Sequence, residues 1–165
     1  MRNTDGYAAQ TGVSLMNGVR SDRVVRSMVN LSRSESLRLL AGVPFGRVVY
    51  TRDALPAIRP VNHIVDDELV VVRTRLASRL TSAVHAEPEV VVAYEADDID
   101  PQTRLGWSVV VTGIARTVTD PRELARYDAM LQPWIDGVMD TIVAIEPTLV
   151  TGVRLVDPRA DASLR

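Results

Sequence analysis

A chain of 165 residues, 46% apolar and with a formal net charge of −2, is about the size of one globular domain and lacks the strong basic field of a general nucleic-acid binder. Cysteine is absent and all 19 basic residues are arginine, which excludes disulfides, thiolate metal sites, cysteine nucleophiles, internal Schiff bases and a lysine-bearing phosphate loop. No apolar run reaches the ~18 residues of a membrane helix, and residues 1–30 lack the continuous apolar stretch of a secretory signal, so the expected setting is the cytoplasm.

Residues 1–30 show no sustained periodicity and read as a loose extension, in which Val24-Val25 and Met28-Val29 could form a short helical turn. From Leu31 the signals firm up. Ser32 and Glu35 have capping-box spacing, Ser36 to Ala41 is amphipathic, and Gly42 is placed to end the helix. Beyond Pro44 the period becomes that of strands: Phe45 to Thr51, Ala57 to Ile64, and Glu68 to Thr74, joined by turns at Asp53 and at Asp66-Asp67. Connections this short cannot hold crossover helices, so the three strands are expected to be antiparallel. Leu76 to Ala86 has helical composition, and Glu89 to Glu95 reads as a fourth strand.

The acidic run Glu95 to Asp100 reads as a solvated loop, followed by a long fifth strand from Trp107 to Val118 in which Gly113 could mark a bend or bulge. Asp120 and Pro121 have the cap and first-position chemistry of a helix running to about Leu131. Thr141 to Ile145 and Leu149 to Val156 give a sixth strand and a candidate seventh. The expected fold is mainly β, about six antiparallel strands in a small closed or partly closed barrel with short flanking helices, over residues 31–157, with a tail at 158–165. Val70 to Val72 and Val90 to Ala93 are apolar on both faces, so one face should line the barrel and the other meet a cover, with a homodimer partner as the natural choice.

Candidate chemistry gathers between Arg59 and Leu80. Pro60 cannot donate to a ladder, so Arg59-Pro60-Val61-Asn62 suits an edge whose backbone groups meet a planar heterocycle. Arg73, Thr74, Ser78 and Arg79 lie around a strand end and a following helix start, where guanidinium forks, hydroxyls and helix amides suit a terminal phosphate. The same residues also suit a solvated basic face. His63 and His85 are too few for a conventional zinc site; His63, beside the proposed ring-binding strand, is open to a part as proton donor or haem ligand. Trp107 and Trp134 read as core or interface anchors. No nucleophile elbow surrounds Ser108, and no Gly-x-Gly-x-x-Gly follows a strand.

Taken in order, Arg59-Pro60-Val61-Asn62, Val72-Arg73-Thr74, Ser78-Arg79-Leu80, the acidic run from Tyr94 and Gly106-Trp107-Ser108 resemble the pyridoxamine 5'-phosphate oxidase-like family of flavin-binding split barrels, across roughly Leu31 to Leu155. The resemblance is strongest to small actinobacterial-type flavin-nucleotide-binding members. It implies a homodimer binding FMN at the subunit interface, with a deazaflavin coenzyme or haem as alternatives within the superfamily. It also implies hydride transfer to or from a small organic substrate, or simple cofactor carriage, with no catalytic side chain and no metal. By that likeness Arg73, Thr74, Ser78 and Arg79 hold the phosphate, Arg59, Pro60, Val61, Asn62 and Leu80 lie along the cofactor, and Trp107 comes from the neighbouring subunit. Ala77-Ser78-Arg79 stands where many relatives carry Gly-Ser-Lys.

Overall fold

The structure, a computed structural model, describes residues 25–74, 90–131 and 141–161. Among these residues seven strands form one antiparallel sheet: β1 Ser27–Asn30, β2 Phe45–Arg52, β3 Leu55–Asp66, β4 Leu69–Thr74, β5 Val90–Asp100, β6 Leu105–Thr117 and β7 Thr141–Val156. Their order is β1-β7-β4-β3-β2-β5-β6, and β6 also pairs with β7, so six strands close a ring and β1 is added beside β7. The expected six-stranded barrel is therefore present, together with a seventh strand in a stretch read as a helical turn. That strand is invisible to periodicity because it is four residues long and pairs on one side, with Ser27 opposite Val156 and Asn30 opposite Val153.

Two-residue turns set the first hairpins. Asp53 and Ala54 (φ 50° and 62°) join β2 to β3, and Asp67 and Glu68 (φ 47° and 65°) join β3 to β4; paired left-handed residues match the twist of adjoining strands. Glu68 thus belongs to a turn rather than to the third strand. The acidic residues Glu95 to Asp100 are a further correction, because they continue β5 in register with β6, Asp97 opposite Ser108 and Asp100 opposite Leu105. Their charges sit on exposed strand positions, which local polarity cannot distinguish from a loop.

The predicted sixth and seventh strands are one, β7. The register slips between Thr112 and Gly113, which pair with Leu149 and Pro147, so the proline is absorbed by a bulge. Glycine is required opposite it, since a Cβ on Gly113 would lie 2.1 Å from the Glu146 carbonyl oxygen.

Among the described residues three helices flank the sheet: α1 Arg33–Leu40, α2 Pro121–Met130 and α3 Pro158–Asp161. Ser32 caps α1 by accepting from the Glu35 amide at 3.2 Å, but the Glu35 carboxylate pairs with Arg154 at 2.8 Å instead of closing the capping box. Asp120 caps α2 through the Arg122 and Glu123 amides. No helix among the described residues is long and apolar enough to cross a membrane.

Inward-facing Val48, Tyr50, Val70, Val72, Tyr94, Val109, Val111 and Ile145 fill the barrel. A second cluster lies outside it, where Val71, Ile142 and Ala144 pack beneath Tyr127 and Leu131 at α2. The chain's own helix thus covers the outer face of β4. Elsewhere no described helix covers the outer face: among the described residues Ile58 and Val91 are 55% and 64% exposed, and Val49 sits opposite both Ile58 and Ala93.

Candidate functional site

The β3–β4 ladder runs from Asp66 opposite Leu69 to His63 opposite Val72, and there it stops. The next residues in that register are Asn62 and Arg73, then Val61 and Thr74. Two segments more than ten residues apart in sequence therefore meet at a fork between two parting strands. Beyond the fork β3 pairs with β2 alone, from Asn62 opposite Phe45 to Leu55 opposite Arg52, while β4 pairs with β7, Arg73 opposite Ile142 and Thr74 opposite Thr141.

The backbone polarity of the β3 edge follows from one bond. The His63 amide donates to the Pro44 carbonyl at 3.2 Å, toward the β2 side. Strand alternation then aims residues 61 and 59 toward β2 and residues 62, 60 and 58 toward the opposite edge. Pro60 consequently lacks its amide where no ladder of the described strands needs one, and the Ile58 carbonyl on that edge accepts from the Arg59 guanidinium at 2.8 Å.

Side chains divide by face. Val61 packs against the barrel core, and Thr74, 4% exposed, points the same way. Arg73 lies on the outer face against α2: its Nη1 is 2.7 Å from Asp128 Oδ1 and 3.3 Å from the Leu131 carbonyl oxygen. Arg73 and Thr74, expected to act together, thus occupy opposite faces at one strand end. Arg59 and Pro60 are exposed on the arm of the fork. Ser78, Arg79 and Leu80, with the predicted helix that carries them, lie outside the described residues, as do His85 and Trp134.

Trp107 is not at the fork. It is 8% exposed and opposite Arg154 near the end of β7, whereas Thr74 is opposite Thr141 at its beginning. Trp107 instead lines a cavity of about 390 Å³ with Leu105, Gly106, Arg154, Leu155, Val156 and Asp157. Gly106 is obligatory there, with φ 141° and no room for a Cβ beside the Asp98 carbonyl. Arg154 is a residue sequence reading overlooks, since nothing local marks it; cross-strand register alone brings it to Trp107.

His63 behaves unlike either open reading. Its ring is buried, with Nε2 2.8 Å from the Leu40 carbonyl oxygen and Nδ1 2.7 Å from Tyr94 Oη. A carbonyl only accepts, so Nε2 carries the proton, and the tyrosine hydroxyl donates to Nδ1. Burial lowers the His63 pKa, partly offset by the bond to Leu40, and burial raises that of Tyr94 well above the ordinary phenol value. Both ring nitrogens are thus committed inside the barrel.

Residues 32–154 match the family model described as pyridoxamine 5'-phosphate oxidase. A Mycobacterium tuberculosis protein, the uncharacterized Rv0080, is 58% identical over 138 residues, 82% of this chain and 91% of its own length. Among solved structures, the "Putative pyridoxamine 5'-phosphate oxidase" of Corynebacterium glutamicum is 34% identical with TM-score 0.67, covering 78% of this chain and 98% of that one. The FAD binding protein of Mycobacterium smegmatis is 37% identical with TM-score 0.62, covering 77% and 98%.

Proposed function

Because the chain belongs to the pyridoxamine 5'-phosphate oxidase family, we propose that it is a cytoplasmic, homodimeric flavin-binding oxidoreductase whose cofactor is FMN. The observation that carries this reading is the fork. It brings the ring-binding candidates Val61 and Asn62 beside the phosphate-binding candidates Arg73 and Thr74, and leaves one edge of residues 55–62 without a ladder to a described strand. A flavin ring offers donors and acceptors along its rim, which fit a strand edge. Thr74 and, later in the sequence, Ser78 and Arg79 supply the hydroxyls and charge that a phosphate needs, with Arg59 and Leu80 as further cofactor-binding candidates. When bound, the flavin supplies hydride transfer at its ring; the chain's residues bind, orient and shield it, with no obligatory proton donor among them.

A second copy is part of the proposal, because Trp107 is at the far end of β7 from the fork. A two-fold partner can bring its own Trp107 and the adjoining cavity to the fork of the first chain. Ile58, Val91 and Val49 supply an apolar outer surface for that contact. FAD is the second reading, favoured by the Mycobacterium smegmatis protein, whose dinucleotide carries the same ring and first phosphate.

The test is an absorption spectrum of the purified chain followed by titration with riboflavin, FMN and FAD. FMN should bind at least ~10-fold tighter than riboflavin, a margin that Arg79→Ala removes. Equal affinity for riboflavin and FMN overturns the phosphate assignment, tighter FAD binding selects the dinucleotide, and a Soret band from bound haem overturns the flavin reading. Mixing Trp107→Ala with Arg79→Ala chains tests the shared site: exchange of subunits should restore one intact site per mixed dimer. Absence of any recovery in demonstrated mixed dimers overturns the contribution in trans.

A further inference from the structure

At His63 three constraints converge on one side of β3. The backbone amide donates to Pro44 ahead of β2, Nε2 donates to the Leu40 carbonyl at the end of α1, and Nδ1 accepts from Tyr94 on β5. The two rings meet edge to face with centroids 5.1 Å apart. On the opposite side, His63 is the last β3 residue paired with β4. The histidine therefore stands at the branch point, where β3 passes from pairing with β4 to pairing with β2.

The surroundings are shaped for this arrangement. Tyr94 is fully buried, and Gly46, opposite Val61 in the β2–β3 ladder, leaves the room its ring occupies: a Cβ on Gly46 would fall 2.5 Å from Tyr94 Oη and 2.5 Å from the Glu95 carbonyl oxygen. Among the described residues no buried side-chain polar atom is left without a hydrogen-bond partner, so the chain Tyr94–His63–Leu40 is a closed network. A satisfied buried network of this kind fixes geometry rather than adding large net stability, because each bond replaces one to water while any missing partner is costly.

We infer that Tyr94 and His63 are positioning residues for the cofactor edge: the Tyr94–His63–Leu40 chain clamps the branch point so that Val61 and Asn62 are presented in one conformation. The inference rests on the flavin reading for what is positioned, and on geometry alone for the clamp. Nothing in it requires His63 to touch the ligand. Removing the tyrosine hydroxyl leaves Nδ1 an unpaired acceptor in the core and frees β3 to pivot just where pairing with β4 ends, so preorganisation of residues 58–62 is what should fail.

The test compares the full chain with Tyr94→Phe, His63→Asn and, as control, Val109→Ala, which deletes core methyls without removing a polar group. Hydrogen exchange is followed without added flavin, at conditions adjusted so that the variants have equal global stability. Tyr94→Phe should accelerate exchange at the Arg59 and Val61 amides, which face β2, by about tenfold relative to Val109→Ala, and weaken FMN binding by a similar factor. It should also change the circular dichroism of the bound flavin band. Equal exchange in Tyr94→Phe and the control overturns the clamp even if the wild-type chain takes up no flavin. Accelerated exchange with unchanged FMN affinity and unchanged flavin dichroism overturns the positioning role. If His63→Asn does not fold, Tyr94→Phe decides alone, since phenylalanine keeps the ring that fills the space beside Gly46.

Discussion

The two halves of β3 show how one strand serves two purposes. From His63 to Asp66 it pairs with β4, bonds the β2 side only through the His63 amide to Pro44, and carries no proline. From Leu55 to Asn62 it pairs with β2 alone and carries Pro56 and Pro60. The chemistry of the prolines matches the difference: the inner half needs the amides that alternate toward β4, and the outer half can forgo those that alternate away from β2. The largest expected effect comes from moving a proline across the boundary. Ile64→Pro, whose amide faces β4 opposite Val71, should lower unfolding stability by ~3 kcal/mol or more, measured by urea denaturation. A loss below ~1 kcal/mol would show that the inner half is not the rigid member of the pair.

This contrast was partly written in the sequence. Pro60 marked the edge, Asp53 and Asp66-Asp67 marked the turns, and Asp120-Pro121 marked the start of α2, because each is a local constraint on dihedral angles or amides. The fork was legible only as two motifs of suitable composition. That Asn62 and Arg73 are adjacent in register follows from where the ladder ends, a non-local fact. For the same reason the bonds of His63 to Leu40 and Tyr94, 23 and 31 residues away, could not be read from neighbouring residues. Periodicity likewise divided β7 at Pro147, since a bulge is defined by the partner strand, and left β1 unassigned. Arg73 was read as a phosphate ligand from its residue type; its bond to Asp128 depends on α2 crossing the outer face of β4.

The branch point also has a pH signature of intermediate size. Burial depresses the His63 pKa below its ordinary value of 6.5. Below about pH 6.5 the unfolded chain takes up a proton that the folded ring resists, so the stability from neutral His63 is present in full above that pH. It is lost as pH falls from there toward the lowered folded value. Within that window the slope approaches, at most, ~1.4 kcal/mol per pH unit. Thermal midpoints recorded between pH 7.5 and 5 should fall on acidification, and His63→Asn should flatten that part of the profile. An unchanged slope in the variant would assign the acid sensitivity to the carboxylates and remove His63 as its source.

The smallest expected effect tests the outer half. The Pro60 nitrogen alternates away from β2, so Pro60→Ala costs no ladder bond; it restores an amide on the edge and releases a fixed φ. Stability of the unliganded chain should therefore change by no more than ~0.5 kcal/mol. Flavin affinity has more reason to respond, because the added donor lies on the edge proposed to meet the ring, and the looser backbone must be ordered when that contact forms. A variant with unchanged melting but altered flavin binding would place Pro60 in the service of the edge. Conversely, a stability loss above ~2 kcal/mol would mean that Pro60 braces the folded strand itself, and that the division between a structural inner half and a binding outer half lies nearer Leu55 than His63.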